Sequence, residues 1–218
     1  MAKFEAVIFD MDGLLIDSMW HWIVSDTQFF GGFGIKLTDE MIKYFSGRSE
    51  TESMSWAKEK FGLKETVKEL LEKRKEQVDK IYTHHTALMP GVEELLKKIK
   101  AAGVKRAIAS GAPIYQIKIV ADRFNWHDYF SHYISPEHVG NVGKPNPAVY
   151  LHAAKVLEVD PKRCVVFEDA ENGVIAAKEA GMCCVAVPDA RWSPGDFSRA
   201  DLVVNSLEDE KIFKFLNV

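Results

Sequence analysis

Four apolar runs recur along the chain, and each ends on polar or acidic residues. Phe4 to Phe9 runs into Asp10 and then Asp12-Gly13, Val104 to Ala109 into Ser110-Gly111, Cys164 to Phe167 into Glu168-Asp169, and Met182 to Val187 into Pro188-Asp189. Short apolar runs closed by turn residues predict buried strands. His132-Tyr133-Ile134 and Leu202-Val203-Val204 are weaker strand candidates. Helical spacing fills the gaps. Val92 to Ala102 has apolar residues at 92, 95, 96 and 99 with Gly103 behind it, Asn146-Pro147 opens a helix to about Leu157, and a third runs from about Glu171 to Ala180 before Gly181. Strands alternating with helices predict an α/β fold with a Rossmann-like parallel sheet.

One stretch breaks the alternation. From about Asp17 to His85 only helical patterns occur: one opening at Thr38-Asp39-Glu40-Met41, one from Glu50 to Phe61 with Gly62 behind it, and one from Thr66 to Ile81. The expected organisation is an α/β core formed by residues 1–16 and 86–218, with an all-helical domain inserted over 17–85. The chain re-enters the core near Met89-Pro90-Gly91.

Composition narrows the classes. Of 218 residues 47% are hydrophobic and 28% charged, with a net charge of −4. That is an ordinary soluble profile with enough apolar material for a sizeable core. The nearest approach to a basic run, Lys97-Lys98-Ile99-Lys100, reads as a solvated helix face, so nucleic acid is not an expected partner. Three cysteines without CxxC spacing fit a reducing compartment. No apolar run reaches the length of a membrane span, and the one at the N-terminus is too short for a signal peptide. The expectation is a cytoplasmic protein with no membrane partner, a monomer or weak dimer. The histidines show neither HxH nor HExxH spacing, which argues against zinc.

In an open parallel sheet, ligands bind beyond the carboxyl ends of the strands. Asp10, Asp12, Ser110, Glu168 and Asp169, with Asp189 less firmly, are therefore candidates for one shared site. Carboxylates gathered in one crevice call for a hard cation, and an all-oxygen donor set suits Mg²⁺. An Asp carboxylate can attack phosphorus to give an aspartyl-phosphate once a cation and a Lys ammonium offset the opposing charges. A second Asp can protonate the leaving oxygen and then activate water. A Ser hydroxyl and backbone N–H groups can hold phosphoryl oxygens.

The segment VIFDMDGLLIDS (Val7 to Ser18) resembles the first motif of the haloacid dehalogenase-like superfamily: an apolar run, then Asp-x-Asp-Gly. Ala109-Ser110-Gly111 resembles its second motif, Gly143-Lys144-Pro145-Asn146-Pro147 its third, and Phe167 to Gly173 its fourth. The helical insertion resembles the subgroup with a helical cap, which includes β-phosphoglucomutase and sugar-phosphate phosphatases. The resemblance implies that Asp10 is nucleophile and metal ligand. It implies that Asp12 is the acid/base and gives its backbone carbonyl to Mg²⁺, and that Asp169 and Glu168 are further metal ligands. Ser110 and Lys144 would bind the phosphoryl group. In the cap, Arg48 and Lys75 stand where relatives contact substrate.

The implied activity is Mg²⁺-dependent hydrolysis of a small-molecule phosphate ester, a sugar or polyol phosphate. Two readings stand beside it: a mutase of the β-phosphoglucomutase type, and a non-catalytic binding or regulatory protein on the same fold. Mutase relatives carry a His in the early cap with a Trp four residues on, whereas His21 is followed at that spacing by Ser25. Dehalogenases need neither the second Asp nor the acidic metal ligands. Trp20 and Trp22 are expected to pack within the cap or wall the substrate pocket, and His84-His85 to lie in a solvated hinge loop.

Overall fold

The computed structural model describes residues 2–191 and 195–218. β1 (Ala6–Phe9) is buried throughout. Its side chains divide by parity, as strand geometry requires: Val7 and Phe9 join the apolar cluster on one face of the sheet, Ala6 and Ile8 the cluster on the other.

After β1 the chain leaves the sheet for four helices, α1 (Met19–Gly31), α2 (Asp39–Phe45), α3 (Glu50–Phe61) and α4 (Val67–Lys80). It returns through a π-helical turn (Ile81–His85) and α5 (Val92–Ala101) to β2 (Lys105–Ala109). The remaining elements are α6 (Ile114–Arg123), β3 (His132–Ile134), α7 (Ala148–Leu157), β4 (Cys164–Glu168), α8 (Glu171–Glu179), β5 (Cys183–Ala186), β6 (Leu202–Val203) and α9 (Glu210–Leu216). The sheet runs β3-β2-β1-β4-β5-β6 with every neighbouring pair parallel, so β1 is interior. All the strand candidates are strands, and the fold is the α/β architecture expected.

The helical segment carries its own apolar cluster of Phe30, Met41, Met54, Ala57 and Leu70, separate from the two that flank the sheet. Its helices begin where side chains satisfy the first backbone donors. Thr38 caps α2, and Ser49 with Glu52 and Thr66 with Glu69 form reciprocal capping boxes at α3 and α4. α1 differs: Ser18 occupies the N-cap position, but its hydroxyl makes no cap hydrogen bond. It donates instead to Asp12 Oδ1 at 2.6 Å.

One smaller expectation changes. His84 and His85 are exposed but sit in the π-helical turn rather than a loop. Cys183 is only partly buried, while Cys164 and Cys184 are buried, and all three are free thiols. Among the described residues no helix is long and apolar enough to cross a membrane.

Candidate active site

Sheet register brings the acids together. Phe9 pairs with Ile108 on β2 and Phe167 on β4, so the next residues, Asp10, Ala109 and Glu168, come level at the carboxyl edge. The amide of Asp10 continues the ladder by donating to the carbonyl of Phe167 at 3.0 Å. The next step along two of these strands places Ser110 and Asp169. Both are buried.

Lys144 reaches this row from the loop before α7. Its ammonium is buried and donates to Asp10 Oδ1 and, at 2.5 Å, to Glu168 Oε1. Burial favours loss of its proton, but the charges of Asp10 and Glu168 outweigh that and hold the lysine above its ordinary range. Burial pushes the Asp10 carboxyl up to about 7; Lys144 pulls it down, while Glu168 and Asp12 add to the rise.

Glu168 is held on all sides. Oε1 also accepts from the Tyr150 hydroxyl, and Oε2 accepts from the amides of Asp169 and Ala170 at 3.1 and 3.2 Å. Gly173 lies so close that a Cβ there would fall 1.9 Å from the Glu168 carboxylate. Oxygens of Asp10, Glu168 and Asp169 all lie within 4.8 Å of one another. This compact, buried, all-carboxylate set fits a small hard cation better than a softer metal.

Asp12 is gripped by three donors. Ser18 and Trp22 Nε1 reach Oδ1 at 2.6 and 3.1 Å, and the Tyr82 hydroxyl reaches Oδ2 at 3.0 Å. Burial raises its pKa and these donors partly offset the rise. A carboxyl kept above its ordinary range is suited to giving up a proton as an acid and taking one back.

These groups open onto a cavity of about 110 Å³ between sheet edge and helical segment. Asp10, Asp12, Ser110, Gly111 and Asp169 line its floor, and Trp22, Asp26, Arg48, Glu50, Arg74 and Tyr82 line the opposite side. The two sides touch. Ser49 Oγ donates to the Asn141 carbonyl at 3.1 Å, Gly143 N to Glu52 Oε2 at 2.9 Å, and Asn172 Nδ2 to the Ser46 carbonyl at 2.9 Å.

Of the residues singled out from sequence, Asp10, Asp12, Ser110, Asp169 and Arg48 line this cavity, with Lys144 and Glu168 directly behind Asp10. Lys75 is a correction. It is exposed, ion-paired to Asp79 at 2.6 Å, and faces a different cleft beside Tyr115. Its neighbour Arg74 takes the inward place, because the buried stripe of α4 is Leu70, Arg74 and Val78. That i, i+4, i+8 spacing was available in the sequence, with an arginine bracketed by two apolar residues. Asp26 lies likewise between Trp22 and Phe30 on α1 and was also missed. Trp22 walls the cavity, whereas Trp20 is exposed. Asp189 pairs with Arg191 at 2.5 Å and is not among the cavity residues.

The chain is similar to several known proteins. A family model described as haloacid dehalogenase-like hydrolase matches residues 4–181. The chain is 32% identical over 208 residues to hexitol phosphatase B of Escherichia coli strain K12, covering 94% of this chain and 93% of that one. It is 31% identical over 178 residues to the phosphorylated carbohydrates phosphatase of Thermotoga maritima, covering 82% of each. The structure of β-phosphoglucomutase from Clostridium difficile superposes with a TM-score of 0.82 at 26% identity, covering 98% of this chain and 97% of that one.

Proposed function

The chain belongs to the haloacid dehalogenase-like hydrolases and is a phosphatase of small phosphate esters, and from that premise we propose that it hydrolyses a sugar or polyol monophosphate with Mg²⁺ through an aspartyl-phosphate on Asp10. The observation that carries this reading is the buried Lys144 ammonium bound to Asp10 at the mouth of β1, directly behind a cavity lined by Asp10, Asp12 and Ser110.

Asp10 attacks phosphorus, and the bond from phosphorus to the ester oxygen breaks as Asp12 gives that oxygen a proton. Asp12 then takes a proton from water, which attacks the aspartyl-phosphate, releases phosphate and restores Asp10. Lys144 and the Ser110 hydroxyl hold the phosphoryl oxygens during both transfers. Asp10, Asp169 and the Asp12 carbonyl would hold Mg²⁺, with Glu168 as a further oxygen, and when bound the cation offsets the mutual repulsion of nucleophile and phosphoryl group. Residues 17–85 act as the cap, closing over the ester and excluding bulk water.

Water rather than a sugar hydroxyl is the final acceptor. His21 stacks on His85 with ring centroids 5.3 Å apart, and no histidine is among the cavity residues. Product analysis with β-glucose 1-phosphate gives free phosphate on this reading, and isomerised sugar phosphate would instead mark a mutase. The central test is turnover of p-nitrophenyl phosphate with and without Mg²⁺ and in Asp10→Asn. Activity is expected to require the cation and to fall by on the order of 10³-fold or more in the variant. Full activity in Asp10→Asn would sink the covalent route.

A further inference from the structure

The cap side of the cavity holds a buried polar cluster that the transfer chemistry does not use. The Arg74 side chain is only 3% exposed; its Nη2 donates to Asp26 Oδ1 at 2.6 Å and its Nη1 faces Met54 Sδ at 3.6 Å. Arg74 Nε, buried on the same guanidinium, has no hydrogen-bond partner. Glu50 Oε1 and Arg48 Nε are also buried without a partner. All three residues, and Asp26, line the cavity.

We infer that Glu50, Arg74 and Asp26 form the subsite that reads the leaving group, and that this group is a short, uncharged chain bearing hydroxyls. The inference rests on the phosphatase reading above. A buried polar atom left without a partner is unfavourable, so a bound group that completes it is selected. The orphaned atoms are two donors and one acceptor. A hydroxyl can accept from Arg74 Nε and donate to Glu50 Oε1, satisfying both kinds at once. A carboxylate or second phosphate only accepts, and would meet two acids. With Arg48 and Arg74 balanced by Asp26 and Glu50, this wall carries no net positive charge to draw in a second anion. An alkyl chain would leave every orphan unsatisfied. Size points the same way. A water needs about 10–15 Å³ by this measure, so a cavity of about 110 Å³ holds roughly seven to eleven such positions. That suits a phosphoryl group with a short chain.

Three esters of equal chain length make the test: n-propyl phosphate, glycerol 3-phosphate and 3-phosphoglycerate, assayed with Mg²⁺ beside p-nitrophenyl phosphate. The expected result is a kcat/KM for glycerol 3-phosphate at least tenfold above both of the others. In Glu50→Ala the ratio of glycerol 3-phosphate to propyl phosphate should collapse by about tenfold, the loss falling much more on the polyol ester than on the aryl ester. The wild-type ratio needs no variant, so a folding defect in Glu50→Ala leaves the test standing. Equal rates for the propyl and glyceryl esters, or preference for the phosphoglycerate, would overturn the inference and leave the phosphatase reading intact. No Mg²⁺-dependent phosphate release from any ester, the aryl one included, would overturn both.

Discussion

Asp12 shows how single side chains divide their duties here. Ser18 is an N-cap by position, yet its hydroxyl serves Asp12. The other two donors, Trp22 and Tyr82, come from the two ends of the helical segment, so Asp12 is fixed by residues where the chain leaves and returns to the sheet. Each donor lowers the pKa of Asp12 against the rise that burial causes. Removing one therefore moves the limb of the pH profile that reports Asp12 to higher pH. For Tyr82→Phe we expect that displacement together with a roughly tenfold fall in kcat, since a hydrogen bond to a charged group is worth about 1.5–3 kcal/mol. An unchanged pH profile would show that the contact does not govern Asp12. Tyr150 plays a comparable part for Glu168, whose Oε1 it shares with Lys144. Tyr150→Phe should cost about 1–3 kcal/mol in urea unfolding and lower kcat more than it raises KM, because it loosens the carboxylate that holds the lysine.

At the scale of elements, legibility followed local pattern. β1, β2 and β4 each present a short apolar run with an abrupt polar end, and that end lines or backs the cavity, so strand positions and their polar tips could be read together; β5 has the same pattern, but its Asp189 pairs with Arg191 and is not among the cavity residues. α1 was harder. Its opening, Met19-Trp20-His21-Trp22-Ile23-Val24, is apolar nearly all round, which hides the period, and its N-cap serine is diverted to Asp12. The cap side of the site was misread by one residue for a different reason: a run of charges, Lys73-Arg74-Lys75-Glu76, invites alignment by charge, whereas helix phase is set by Leu70 and Val78. Glu50 carries no signature in sequence, and Asp26 carries only its place between Trp22 and Phe30; the meaning of both comes from the Arg74 that α4 brings to the same cavity wall. Two variants separate the neighbours. Lys75→Ala should leave activity within about twofold, since it removes only exposed contacts. Arg74→Ala strands the buried Asp26 carboxylate and should cost about 3–5 kcal/mol, read by urea unfolding. Equal effects of the two would refute the assignment of phase.

For the whole molecule, the site is the seam between two bodies that each have their own core. Glycines make the seam close. A Cβ on Gly111 would sit 2.5 Å from the Arg48 carbonyl oxygen, and one on Gly143 would sit 2.4 Å from the Ser49 amide, so backbone meets backbone where cap and core touch. Asp10, Glu168 and Asp169 are buried with carboxylate oxygens within 4.8 Å of one another, and burial together with the neighbouring Glu168 raises the Asp10 pKa to about 7 even though Lys144 pulls it down. The protein without a divalent cation therefore carries a destabilising term that the unfolded chain, with its acids dispersed in water, does not. A cation that binds only the folded state adds RT ln(1 + [L]/Kd), about 2.7 kcal/mol at a hundredfold excess over Kd. For a chain of this size each kcal/mol shifts Tm by about 2–4 °C, so saturating Mg²⁺ should raise Tm by roughly 5–10 °C. In Asp169→Ala the shift should vanish, because one of the three carboxylates that would hold the cation is gone. A wild-type Tm indifferent to Mg²⁺ would mean that the cluster has no place for a cation.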